Sequence, residues 1–368
     1  MRIWMRRTVA AVLVMSLLLS GSVVFAAELS ETQPTQAPSE TVPPTEAPVE
    51  ETAQAPTEQP AEEPAEPEPT ATKYEVDTTS KMYKLCAQMA SELSYDQVLV
   101  YDATNDKLIF EDTREGSKLY PASVTKLFSS WVALQIMEPD EIVTVGDELK
   151  LVHEGSSVAS LRAGQRPYVR NLVEGMMLPS GNDAAIVLAV AAGRKLAKDE
   201  TLDAEEAMYT FVDEMNRQAA ELGFERSHFA NPDGWHSGSH YTCINDMIII
   251  AKLALADETI SRYIRRAEDE VTFASGQTVT WENTNKLLDE EEPYYRGDAI
   301  GMKTGYTRQA EQCLMSAFRC SDGRTLVIGV FGYADGNKRY SEINKLAKAC
   351  KEQIKLDVKE AKATAKKK

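Results

Sequence analysis

Apolar residues recur at helical spacing early in the chain. Met82, Leu85, Met89 and Leu93 fall three or four apart and predict a helix within residues 76–94. The period then changes. Val98-Leu99-Val100-Tyr101 and Lys107-Leu108-Ile109-Phe110 flank the turn residues Thr104-Asn105-Asp106 and read as a β-hairpin. A long, mainly helical middle runs from about 121 to 265. Strand-like segments follow at 299–307, 313–318 and 325–333, the last two joined by Ser321-Asp322-Gly323-Arg324, a second hairpin signal. A final helix covers about 337–360. Strands at both ends with helices between them predict an α+β fold: one antiparallel sheet assembled from both termini, with an inserted helical region.

The first 75 residues follow no such period. Arg2, Arg6 and Arg7 precede an apolar run from Thr8 to Phe25, and Val24-Phe25-Ala26 puts small residues where an export signal is cut. Cleavage after Ala26 is the expectation, and an uncleaved anchor is the alternative, because a run of about 20 apolar residues just spans a bilayer. Residues 28–70 then hold eleven Glu, no Lys or Arg, and ten of the sixteen prolines. So polar a stretch cannot bury enough surface to offset its ordering entropy, and residues 27–75 read as a disordered spacer. These parts reshape the net charge of −17: without the eleven Glu and three Arg, −17 + 11 − 3 leaves −9 for residues 71–368. Nucleic acid is disfavoured as a partner, since only the C-terminal tail, 351–368, is basic. Its lysines, Lys355 to Lys368, read as a solvated helix end, with contact to anionic wall polymer or lipid as the alternative.

The five cysteines are few, scattered and odd in number, which is no disulfide framework. Cys86 and Cys350, on the first and last helices, are the one pair worth testing for a bridge. His236 and His240 are four apart, but Gly234 and Gly238 argue against a helix there, and no metal site is predicted.

Three short motifs carry chemistry. Ser123 and Lys126 stand three apart at the start of a predicted helix, so an amine reaches a hydroxyl that a neutral lysine could deprotonate. Alone, Ser-x-x-Lys is common in surface helices. Ser180-Gly181-Asn182 sits in a turn between two apolar helices; its residues suit any turn, yet they present a hydroxyl and a carboxamide together. Lys303-Thr304-Gly305-Tyr306 lies on a strand, where a glycine marks close backbone approach, although a regular strand points Lys303 and Thr304 to opposite faces.

The conjunction is specific. In this order, Ser-x-x-Lys, Ser-x-Asn and Lys-Thr-Gly resemble the active-site set of the low-molecular-weight penicillin-binding proteins, the serine-type D-alanyl-D-alanine carboxypeptidases. Tyr120-Pro121-Ala122, Asn231-Pro232-Asp233-Gly234, His240-Tyr241-Thr242 and Asn283-Thr284-Asn285 are similar to that family too, and the likeness spans about 76–350. The resemblance implies a β-lactamase/transpeptidase-like fold, with a five-stranded antiparallel sheet flanked by the terminal helices and a helical sub-domain inserted. It implies no cofactor, a peptidoglycan stem peptide ending in D-Ala-D-Ala as substrate, β-lactams as inhibitors, and an exported protein at the cell wall or the outer face of the cytoplasmic membrane. Ser123 would be the nucleophile, Lys126 its base, and Ser180 the proton relay. Asn182 would orient the amine or substrate, while Lys303 and Thr304 would hold the terminal carboxylate. The backbone N–H groups of Ser123 and Tyr306 would form the oxyanion hole beside Gly305. A neutral Lys126 requires a lowered pKa, for which nearby Lys303 is the expected like-charge cause.

Two features depart from the family. Ala310-Glu311-Gln312 replaces the usual Ala-Gly before Cys313-Leu314, and in the roughly 30 residues after the last strand the second domain and membrane-binding amphipathic helix that often follow are not expected. A class A β-lactamase would need a Glu with Asn four residues later between the second and third motifs, and none occurs between 183 and 302. A non-catalytic wall-binding module would not be expected to keep all six motif side chains.

Overall fold

The computed structural model describes residues 74–114 and 118–367. The export signal, nearly all of the spacer and Lys368 lie outside the described residues. Helix α1 (Lys81–Ala90) leads into β1 (Gln97–Asp102) and β2 (Lys107–Thr113). The insertion holds α2 (Thr125–Ile136), α3 (Val169–Met177), α4 (Asn182–Ala197), α5 (Ala204–Glu221), α6 (Ile244–Ala256) and α7 (Glu258–Tyr263). A small hairpin follows, β3 (Glu268–Thr272) with β4 (Thr278–Glu282). The chain then returns through β5 (Ala299–Thr307), β6 (Glu311–Arg319) and β7 (Thr325–Tyr333) to α8 (Gly336–Ala365).

The main sheet is antiparallel, in the order β2-β1-β7-β6-β5, so strands from both ends of the chain meet at β1 and β7. Alternation along each strand serves two cores. Val98, Val100, Leu314, Ile328 and Val330 pack with Ile343, Leu346 and Cys350 beneath α1 and α8. Leu99, Tyr101, Met315 and Val327 face the helical insertion, where Leu127, Phe128, Val132 and Val187 fill the larger core. The architecture is the expected one, and β5, which carries the third motif, is an edge strand.

Several boundaries moved. The first helix begins only at Lys81, because Ser80 caps it, accepting from the Tyr83 N–H at 3.1 Å. The β3–β4 hairpin was not anticipated: Glu268, Asp269 and Glu270 mask a strand that buries only Val271, opposite Val279. The last helix runs through residue 350 to Ala365, so the basic tail continues the domain's own helix, with Ile354 buried. Glu311 takes φ +50°, a left-handed conformation in which glycine is at ease. Cys86 and Cys350 lie side by side as free thiols, Sγ to Sγ 3.5 Å, joining α1 to α8. Among the described residues, no helix is long and apolar enough to cross a membrane.

Candidate active site

A short 3-10 turn, Ala122–Val124, passes directly into α2, so Ser123 stands just ahead of the α-helix and Lys126 in its first turn. Two backbones clasp this turn. A Cβ on Gly234, whose φ is +82°, would fall 1.9 Å from the Ala122 carbonyl. One on Gly305 would lie 2.9 Å from the Pro121 carbonyl and 3.1 Å from the Ser123 nitrogen. Only glycine lets the 231–236 loop and edge strand β5 close on the serine from two sides.

Lys126 is completely buried beneath Ser123. Its Nζ reaches Ser123 Oγ at 3.0 Å, Asn182 Oδ1 at 2.7 Å and the Asp233 carbonyl at 2.7 Å. Burial pulls its pKa down to about 8, against smaller opposing effects from Asp233 and Asp183. The expected like-charge cause is therefore corrected: loss of water dominates. The repulsion falls on the other lysine, for Lys303 is held well below the usual range first by burial, then by Lys126 and Arg339.

Ser180 adopts φ +63° in the turn between α3 and α4. The turn is braced by Ser157, whose Oγ donates to the Ser180 carbonyl at 2.8 Å and whose carbonyl accepts from the Asn182 N–H at 2.8 Å. Asp183 completes the brace by accepting from the Ala159 and Leu161 N–H groups. Behind the nucleophile, His240 is buried and held neutral, its pKa pushed down to about 3 chiefly by desolvation. Its Nδ1 accepts from the Ala230 N–H at 3.2 Å, so Nε2 carries the proton and donates to Thr125 Oγ1 at 2.8 Å.

These groups surround a cleft of about 610 Å³. Ser123, Ser180, Asn182, Thr304, Gly305 and Tyr306 line it, as the motifs anticipated. Lys126 and Lys303 lie buried under its floor, and Lys303 Nζ donates to the Thr304 carbonyl at 3.1 Å. Thr304 Oγ1 instead faces the cleft, 2.6 Å from Thr284 Oγ1. The alternation that separated the two side chains is thus kept: Thr304 meets the cleft, while Lys303 is buried on the other face of the strand.

Sequence reasoning missed other groups at the site. Arg339, from α8, lines the cleft while donating to the Gly305 and Cys313 carbonyls at 3.1 and 2.7 Å, and its Nε has no partner among the described residues. No motif surrounds it, so only packing reveals it. Asp233 and Thr284 fall inside Asn-Pro-Asp-Gly and Asn-Thr-Asn, segments noticed for likeness but given no role. Trp235, stacked on His153 at 4.5 Å, forms part of the rim.

A serine at a helix start, a buried lysine with depressed pKa on its hydroxyl, and an open strand edge beside it come together on a β-lactamase/transpeptidase-like fold. The profile of the D-alanyl-D-alanine carboxypeptidase family matches residues 84–334, more than half of the chain, and the chain belongs to that family. It is 28% identical over 259 residues to D-alanyl-D-alanine carboxypeptidase DacF of Bacillus subtilis (strain 168), covering 67% of this chain and 62% of that protein. It is 33% identical over 227 residues to the D-alanyl-D-alanine carboxypeptidase of Streptomyces sp. (strain K15), covering 59% of this chain and 72% of that one. The crystal structure of the Streptomyces K15 DD-transpeptidase superposes with a TM-score of 0.62 at 26% identity, over 70% of this chain and 97% of that one. The matched region spans somewhat under two thirds of the Bacillus relative.

Proposed function

We propose that the protein is an extracytoplasmic serine-type D-alanyl-D-alanine carboxypeptidase that trims the terminal D-alanine from peptidoglycan stem peptides and is acylated by penicillins. The carrying observation is the 3.0 Å approach of a buried Lys126 amine to Ser123 Oγ. A neutral amine has two N–H bonds and one lone pair. With Asn182 Oδ1 and the Asp233 carbonyl accepting the two N–H bonds, the lone pair is left for the serine proton.

Ser123 Oγ then attacks the carbonyl between the two D-alanines while its proton passes to Lys126. The backbone N–H groups of Ser123 and Tyr306 receive the oxyanion, each such donor contributing about 3 kcal/mol. Collapse breaks the C–N bond, and Ser180 relays the proton from Lys126 to the departing D-alanine amine. Water next hydrolyses the ester and frees Ser123, and a β-lactam stalls at that ester. The substrate lies along the free edge of β5. Its terminal carboxylate meets Thr304, within the positive field of the Arg339 guanidinium that lines the cleft.

Labelling with fluorescent penicillin tests this reading. Wild type is expected to label and Ser123→Ala not to, and an unlabelled wild type would refute the mechanism. D-alanine release from a pentapeptide, set against cross-linked dimer, separates water from an amine as the acceptor.

A further inference from the structure

Helix α8 segregates its charge. Lys345, Lys348, Lys355, Lys359, Lys362 and Lys366 are all exposed, with Lys366 at the helix's C-cap. At 100° per residue they fall within an arc of about 100°, a stripe about 32 Å long. Glu352 is the single acid inside the arc. Glu342, Asp357 and Glu360 sit on the opposite flank, where Lys338 pairs with Glu342 and Lys81 of α1 with Glu360 at 2.8 Å. None of the six stripe lysines has an ion-pair partner among the described residues. Lys345–Lys348, Lys355–Lys359, Lys359–Lys362 and Lys362–Lys366 stand three or four apart, and such like-charge pairs destabilise a helix. Glu352, four residues from Lys348 and three from Lys355, offsets part of this repulsion, and a bound polyanion would relieve the rest.

We infer that this face of α8 is a docking surface for a linear, phosphate-bearing polyanion. Shape and charge both favour an extended polymer. Within Lys345–Lys348 and along Lys355 to Lys366, neighbouring lysines project side by side roughly 5–6 Å apart, the two groups separated by about 10 Å, and can engage charges of one extended chain. A membrane fits less well. An interfacial helix buries an apolar face in lipid, whereas Ile343, Leu346, Cys350 and Ile354 of α8 are already buried in the domain core. Leu356, 53% exposed, is the only large apolar residue that α8 leaves open.

The full chain would be titrated with linear polyphosphate across roughly 20 to 300 mM salt, a range over which ion release dominates. With six lysines engaged, the plot of log affinity against log salt is expected to have a slope of about −4. The triple variant Lys355→Gln, Lys359→Gln, Lys362→Gln is expected to bind at least about tenfold more weakly, with a slope near −2. Its rate of acylation by penicillin should equal wild type, which also reports that it folds. A control variant, Lys150→Gln with Lys198→Gln, neutralises exposed lysines away from α8 and should bind like wild type. The inference is overturned if the triple variant keeps wild-type affinity or if the control loses as much. It is equally overturned if phosphatidylglycerol vesicles compete polyphosphate off the wild-type chain at matched phosphate.

Discussion

Replacing Asn182 with aspartate tests the proposed base directly. The Asn182 side-chain oxygen lies 2.7 Å from Lys126 Nζ, so Asn182→Asp sets a carboxylate against the amine with almost no change of shape. At an effective dielectric near 20, opposite charges 4 Å apart attract by about 4 kcal/mol. That energy corresponds to about 3 pKa units. Lys126, at about 8 in the wild type because it is buried, would rise to about 11. The neutral fraction at pH 7 would fall from about one tenth to about one in ten thousand, and acylation by roughly 1000-fold. The assay is the second-order rate of labelling by fluorescent penicillin from about pH 6 to 10. Wild type should rise with a slope of one and level near pH 8, as Lys126 loses its proton. The variant should keep rising to the alkaline limit and recover much of its loss there. A variant that levels at the wild-type pH would refute Lys126 as the group being titrated.

Four further outcomes follow from the same geometry. Gly234→Ala puts a methyl into the Ala122 carbonyl at positive φ, and should cost about 2 kcal/mol or more in thermal unfolding and at least about 100-fold in acylation. Glu174 is buried, its carboxylate 3.7 Å from Arg266, and desolvation raises its pKa from 4.5 to about 7. The folded chain thus binds this proton more tightly than the unfolded one, and the stability it lends is full below 4.5 and lost as pH climbs through 7. Glu174→Gln should therefore stabilise the protein by about 1–3 kcal/mol at pH 8, measured by urea unfolding, with little gain at pH 4. Arg339→Gln should raise KM about tenfold or more for a free D-Ala-D-Ala carboxylate but little for its C-terminal amide, because the carboxylate loses the guanidinium's positive charge. Glutathione disulfide present during refolding should exchange with the Cys86 and Cys350 thiols, giving one intramolecular bridge detectable by non-reducing peptide mapping and a higher Tm.

Much of the site was legible in the sequence because its parts are local. Ser123 and Lys126 meet within one turn, Ser180 and Asn182 share one tight loop, and Thr304, Gly305 and Tyr306 are consecutive on one strand. Periodicity also foretold the five strands of the main sheet and the terminal helices. The β3–β4 hairpin escaped because only one face of it is buried and its other face is acidic.

What the sequence determined, then, was the set of reacting groups and the order in which the elements occur, since these depend on spacings of a few residues. Tertiary structure decided the electrostatics. Lys126 is removed from water because Asn182 at the start of α4 and the 231–236 loop close on it beneath Ser123, a burial that no local spacing encodes. Arg339 reaches the cleft from a helix more than 200 residues downstream of the nucleophile, because β1 and β7 pair and carry α8 back against the start of the fold. Glycines 234 and 305 look alike in the chain, and only the packed molecule reveals that both hold the same serine in place.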